Sequence, residues 1–247
     1  YEGAIARQGD TVRVSQVNAV TGQLLTIGTD ADSFSSSALS SSYVDLVADK
    51  RAVASYTFQD MVQLQSQLGQ DNPEVMESLK YGMAEQINNY LYSLVSPSTS
   101  APDHLLNSVT DMNASQLSAS RLLAAQAKWA NDGRWYGLLD PSYMSDIMNA
   151  TTLTSSDYGA SDAPVISGQV AMKRFGFNLL EDNSRATDTA IFFHPDFLHM
   201  VTQSEVQVKI SDLHALGQFG VKMSCDIIFG AKLAINGNVK HIKVLAA

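Results

Sequence analysis

One cysteine, Cys225, occurs in 247 residues, so no intrachain disulfide can form. That suits a reducing compartment. No apolar run approaches the roughly 18 residues of a membrane-spanning helix, and no secretory leader is visible. Basic residues are few: 16 Lys and Arg stand against 25 Asp and Glu, a net charge of −9. No block of positive charge is present, which argues against tight binding to a nucleic-acid backbone. No lysine precedes Lys50. The glycine-rich phosphate-binding patterns and the G-x-S-x-G of a serine nucleophile are missing as well. The chain opens at Tyr1 without Met, as expected for the processed or ordered part of a longer polypeptide.

What is present is an ordered globular composition, 45% hydrophobic and 17% charged. Residues 5–17 alternate apolar and polar side chains and predict a strand. Residues 20–42 end in a tract with serine at seven of the ten positions 33–42, which predicts a mobile loop. Tyr43 to Tyr56 alternates again. Two strands around a long polar tip make an extended hairpin.

Thr57 to Leu68 is a candidate short helix, with Gly69 as its stop. The strongest helix signal follows. Asn72 can cap it, Pro73 has its φ already set, and Val75, Met76, Leu79, Met83, Ile87, Leu91 and Leu94 recur at helical spacing. From Pro73 to Val95 such a helix spans about 35 Å. The tract S-P-S-T-S-A-P-D at 96–103 is a break. Leu117 to Trp129 predicts a second helix, with Asp111 or Ser115 as cap and Gly133 near its end. Arg134 to Pro141 reads as an apolar strand stopped by Asp140-Pro141, and Ser142 to Ala150 as a short helix. T-A-I-F-F-H-P-D-F-L-H-M, Thr189 to Met200, predicts a strand running into a helix that starts at Pro195. Gln218 to Gly237 predicts a long strand, and Asn236-Gly237 signals a two-residue hairpin into the final strand.

This order resembles that of tailed-bacteriophage major capsid proteins with the Hong Kong 97-type fold. The residues that carry it are Y-E-G-A-I-A-R-Q-G-D-T-V at 1–12, the long helix, the strand with its Asp-Pro stop, I-S-G-Q-V-A-M-K-R-F-G-F-N-L-L-E-D-N at 166–183 and the strand to F-H. The resemblance implies an α+β subunit. Its parts would be an N-terminal strand and extended E-loop (1–56), a peripheral domain with the long spine helix (57–96), an axial domain (97–204) and C-terminal strands completing both cores (205–247). It also implies self-assembly into an icosahedral head around double-stranded DNA, with no enzymatic activity and no cofactor. Expected partners are copies of itself in hexamers and pentamers, and scaffolding, portal and decoration proteins. The expected location is the virion, with assembly in the host cytoplasm. In this family an N-terminal arm precedes the stretch like Tyr1 to Val14. Some members join an E-loop lysine to a neighbour's asparagine, a chemistry that lacks its nucleophile here. The alternatives are an encapsulin-type compartment and, remotely, a soluble hydrolase.

His194, Asp196 and His199 are spaced H-P-D-x-x-H. No H-E-x-x-H or C-x-x-C pattern accompanies them, so His194 as helix cap and Asp196 in the first turn is the favoured reading. Cys225 falls in the alternation Val221, Met223, Cys225, Ile227, Phe229 and is expected in the core. Trp129, Trp135 and Tyr136 are expected to pack as core aromatics. Charge is uneven along the chain. From Val14 to Asp49 there are four aspartates, Asp30, Asp32, Asp45 and Asp49, and no Lys or Arg. From Glu205 to Ala247 there are three acids and five lysines, a balance of +2. Asp30, Asp32 and Asp45 are therefore candidate contacts to Lys209, Lys222, Lys240 and Lys243 of a neighbouring subunit.

Overall fold

The computed structural model describes residues 11–17, 20, 22–25, 36, 38–60, 73–150, 153, 171–203, 206–214 and 217–246. The chain begins with β1 (Thr11–Val17), β2 (Ser41–Val47) and β3 (Lys50–Gln59), followed by α1 (Pro73–Ser93) and β4 (Leu105–Leu106). Next come α2 (Ala114–Gln126), β5 (Trp135–Leu139), α3 (Pro141–Asn149), β6 (Ala171–Arg174), β7 (Phe177–Glu181) and β8 (Thr189–Phe193). The last part holds a 3₁₀ turn (Pro195–Phe197), β9 (Leu198–Thr202), β10 (Gln207–Asp212), β11 (Gly220–Leu233), a second 3₁₀ turn (Gly237–Val239) and β12 (His241–Leu245).

Two larger sheets organise the molecule. One has the order β10-β11-β3, with β9 also on β11. The other has six strands in the order β4-β12-β8-β5-β7-β6. Strands β1 and β2 form a separate antiparallel pair, in register from Thr11 opposite Val47 to Val17 opposite Ser41. The sequence implied a hairpin of residues 5–17 with Tyr43 to Tyr56, but the second run is divided: Ser41–Val47 pairs with β1, and Lys50–Gln59 pairs with β11 instead. The connection between β1 and β2, residues 18–40, falls largely outside the described residues.

The six-stranded sheet is built from strands with one apolar face. Trp135 and Leu139 of β5, Phe177 and Leu179 of β7, Phe192 of β8, and Ile242 and Val244 of β12 are all buried in one cluster. Helices α2 and α3 cover that face with Leu117, Ala124, Tyr143, Met144 and Ile147. Trp129 and Trp135 meet edge to face, with ring centroids 5.8 Å apart. These aromatics are core, as expected. Tyr136 lies on the opposite face, stacked on Phe193 at 5.9 Å. Asp140 caps α3 by accepting from the Ser142 and Tyr143 amides, and Pro141 opens the helix.

Helix α1 packs on the smaller sheet. Val75, Leu79 and Met83 bury against Phe58, Met223 and Cys225, each burial worth about 1.5–3 kcal/mol. Cys225 is a core residue of β11. The apolar stripe of α1 is not buried along its whole length. Ile87 and Leu91 are only half-buried, although Tyr90 between them still meets Phe229 of β11 edge to face at 5.5 Å. The expected cap, Asn72, and the expected stop, Gly69, lie outside the described residues.

Four further sequence expectations need correction. Thr57 to Gln59 belong to β3 and not to a helix, because they pair with β11 (Thr57 with Lys222, Phe58 with Val221); residues 61–68 lie outside the described residues. Pro195 opens only a 3₁₀ turn of three residues. Leu198 to Thr202 are then drawn into β9 by pairing with β11. Asn236-Gly237 turns the chain without closing a hairpin. Asn236 is left-handed, with φ 59°, and heads the second 3₁₀ turn, and β12 joins β8 and β4 instead of β11. The cap of α2 is Asn113, whose side chain accepts from the Ser115 and Gln116 amides, and not Asp111 or Ser115.

The base of the hairpin rests on the smaller sheet, on the face away from α1. Leu46 and Ala48 bury there with Val201, and Val12, Val14 and Ile228 pack around them. The approach is close. A Cβ on Gly230 would lie 1.8 Å from the carbonyl oxygen of Val47.

Candidate functional site

The β1–β2 hairpin projects the features most in need of a partner. Alternation puts Val44 and Leu46 toward the body and Tyr43, Asp45 and Val47 outward. Val17, Leu24, Leu39 and Tyr43 are exposed. A lone two-stranded hairpin is marginal in water, and this one buries only its base against the smaller sheet.

Asp45 is already engaged within the hairpin. Arg13 donates to it through Nε (2.7 Å) and Nη2 (3.1 Å), and the guanidinium sits 4.2 Å from the Tyr43 ring centroid. The Arg13 hydrogen bond holds the Asp45 carboxyl below its ordinary value. Asp49 bonds the adjacent Lys50 at 2.9 Å. Asp30 and Asp32 lie outside the described residues.

The four candidate lysines form two groups. Lys209 of β10 and Lys222 of β11 share the sheet face on which the hairpin base rests. Lys209 also approaches Asp226 at 3.8 Å, and Arg51 binds the same carboxylate at 2.6 Å. Lys240 and Lys243 lie instead at the second 3₁₀ turn and on β12, in the six-stranded sheet. The sequence could not show this division, nor the Arg13–Asp45 and Arg51–Asp226 pairs, because each spans strands far apart in the chain.

The His194 region has structural geometry. His194 is buried and caps the first 3₁₀ turn, its Nδ1 accepting from the Asp196 amide at 3.3 Å. That leaves Nε2–H to donate to Asp132 at 3.3 Å. Hydrogen bonds from the amide and side chain of Arg134 hold the Asp132 carboxyl well below the usual carboxylate range. His199 stands on β9 opposite Lys232, and burial pushes its pKa down. Among the described residues no group of three or more His, Cys, Asp or Glu side chains could hold a metal ion. Among them, too, no helix is long and apolar enough to cross a membrane.

Comparison with solved structures finds this architecture in phage capsids. A structure from Mycobacterium phage Che8 matches with a TM-score of 0.74 at 17% identity, covering 96% of this chain and 85% of that one. The capsid structure of cyanophage P-SCSP1u matches with a TM-score of 0.73 at 14% identity, covering 100% of this chain and 86% of that one. A virus-like particle from Pyrococcus furiosus matches with a TM-score of 0.57 at 11% identity, covering 97% of this chain and 88% of that one. No family model and no curated protein sequence matches. The chain therefore has the α+β fold of phage capsid proteins.

Proposed function

We propose that this protein is a major capsid protein, whose copies assemble into an icosahedral phage head around double-stranded DNA. The observation that carries the proposal is the match of essentially the whole chain, 96–100% of it, to phage capsid structures. A hairpin with exposed apolar side chains and no independent core supports it. In this reading the β1–β2 hairpin region 1–47 is the E-loop, reaching from its base on this subunit to a neighbouring one, while residues 50–56 belong to β3 of the smaller sheet. The smaller sheet with α1 is the peripheral part and the six-stranded sheet the axial part. The protein acts by assembly and not by catalysis. It resides in the virion after assembly in the host cytoplasm, beside scaffolding, portal and decoration proteins. The −9 charge leaves packaged DNA without a sticking wall.

The acidic hairpin region would meet lysines of the neighbour, Lys209 and Lys222 foremost. Exposed pairs are worth about 0–1 kcal/mol each, but a shell repeats the contact in every copy. Asp30→Lys combined with Asp32→Lys should slow assembly at low salt and recover partly at high salt. Unchanged rates at low salt would remove this part of the proposal.

An encapsulin-type compartment is the second reading, a shell of the same fold that would enclose protein cargo in place of DNA. Electron micrographs of the purified protein test both. Closed shells are expected, and particles isolated from infected cells should contain DNA. Shells filled with a protein cargo would favour the compartment. A protein that stays monomeric under all assembly conditions would overturn both.

A further inference from the structure

Three segments carry the chain between the two sheets. Residues 94–104 lead from α1 to β4, residues 194–197 from β8 to β9, and residues 234–240 from β11 to β12. A buried histidine marks each one. His104 ends the first, His194 opens the second and His241 follows the third, with exposures of 0%, 2% and 0%. Neither of the remaining histidines, His199 and His214, is fully buried.

The three crossings are bound to one another by backbone. Ser98 N–H donates to Asn238 O at 2.8 Å, and Ala234 N–H donates to Phe197 O at 2.9 Å. His194 N–H donates to Lys240 O at 3.1 Å, and Lys243 N–H donates to His104 O at 3.0 Å. The Phe197 ring lies 5.1 Å from the His241 ring. Whatever loosens this junction loosens the relation between the sheets.

The three imidazoles differ in what a proton would meet. His194 faces the Asp132 and Asp196 carboxylates. Among the described residues no carboxylate bonds to His104 or His241. His104 Nδ1 donates to Pro102 O at 2.8 Å, and His241 Nδ1 donates to Gly237 O at 2.7 Å. Each Nε2 is then a lone pair, and both Nε2 atoms are buried without a partner. A proton on His241 Nε2 would create a buried N–H without an acceptor, and a buried cation. The titratable groups acting on His241 are His104 and Lys243, and both disfavour a positive charge there. The acid next to His104, Asp103, turns its carboxylate to the Leu105 amide at 2.7 Å.

We propose that His241 is an acid-sensitive fastening between the two sheets. Neutral, it holds the 234–240 crossing in place. Protonated, it releases that crossing and frees the sheets to change their relation. Burial above all, together with His104 and Lys243, lowers the His241 pKa in the fold, which supports the direction. A folded value below the unfolded one means stability is fully present above about pH 6.5 and is lost as pH falls through that range. The inference concerns the subunit itself and does not rest on shell assembly.

The test is amide hydrogen exchange on the full chain, corrected for its intrinsic pH dependence. A histidine of ordinary pKa about 6.5 that takes a proton only on opening raises the opening constant about 16-fold between about pH 6.5 and about pH 5. We expect that rise at residues 98–105 and 234–243, ahead of the rest of the molecule. His241→Asn keeps a donor for the Gly237 carbonyl and removes the titration, so the rise should fall below about threefold. Equal pH dependence in wild type and variant would overturn the proposal. If the variant does not fold, the wild-type His241 imidazole signals decide by NMR. That ring staying neutral in the folded protein until the junction opens supports the proposal. Its protonating near its free value with the junction closed overturns it.

Discussion

Arg51 of β3 grips Asp226 of β11 with two donors, Nε at 2.9 Å and Nη2 at 2.6 Å, across neighbouring strands. The carboxylate is nearly buried, with its side chain 10% exposed, while the guanidinium is 57% exposed. The pair crosses the strand ladder on the face where the hairpin base rests.

Arg51→Ala should therefore lower stability by about 1–2 kcal/mol, because it leaves a buried carboxylate with only Lys209 nearby. Arg13→Ala, which breaks an exposed pair, should cost clearly less. Denaturant melts of both variants check this. Equal losses would mean that burial of Asp226 does not matter.

Leu79→Asp and Ile87→Asp should separate. Leu79 is 2% exposed under the sheet, so a charge there should cost several kcal/mol and prevent assembly. Ile87 is half-buried, so its variant should lose less and still fold. If both variants melt like wild type, the packing of α1 described above is wrong.

Tyr143 is fully buried, and its hydroxyl donates to Val109 O at 2.7 Å. Burial, with nearby aspartates, pushes its pKa up to about 12 from an ordinary 10.0. The unfolded chain thus loses this proton first, so stability should fall as pH rises between about 10 and 12. Tyr143→Phe should flatten that decline while costing about 1 kcal/mol at neutral pH. Melts across alkaline pH read both effects; an unchanged alkaline slope in the variant would refute the assignment.

Cys225 is 1% exposed, and burial raises its pKa. The native protein should resist thiol reagents and react only on unfolding. Rapid labelling of the folded protein would show that α1 does not stay seated.

Subunits of assembled particles should run singly on denaturing gels, because no lysine lies between Tyr1 and Asp49 to serve a covalent cross-link from the hairpin. Ladders of linked subunits would contradict this.

The elements legible in sequence were those that local chemistry decides. The stripe of α1, the Asp140-Pro141 switch from β5 to α3 and the alternation through Cys225 all reappear in the structure. The misread ones were decided by distant partners. Thr57 to Gln59 and Leu198 to Thr202 have ambiguous local preferences, and pairing with β11 makes both extended. Asn236-Gly237 bends the chain as its residues demand, but nothing nearby tells β11 and β12 that they join different sheets. The candidate site was legible as a hairpin with acidic character. Its internal Arg13–Asp45 pair was not, since the two residues are 32 positions apart.

The missing side chain at Gly230 acts as a fulcrum. With the Val47 carbonyl lying where a Cβ would stand, the arm can leave the body at only one height above the sheet. Gly230→Ala should lift the hairpin base and tilt the whole lever. In a closed shell that tilt is repeated in every copy. One methyl group then becomes a change of curvature, and particles of the wrong diameter would be its visible trace.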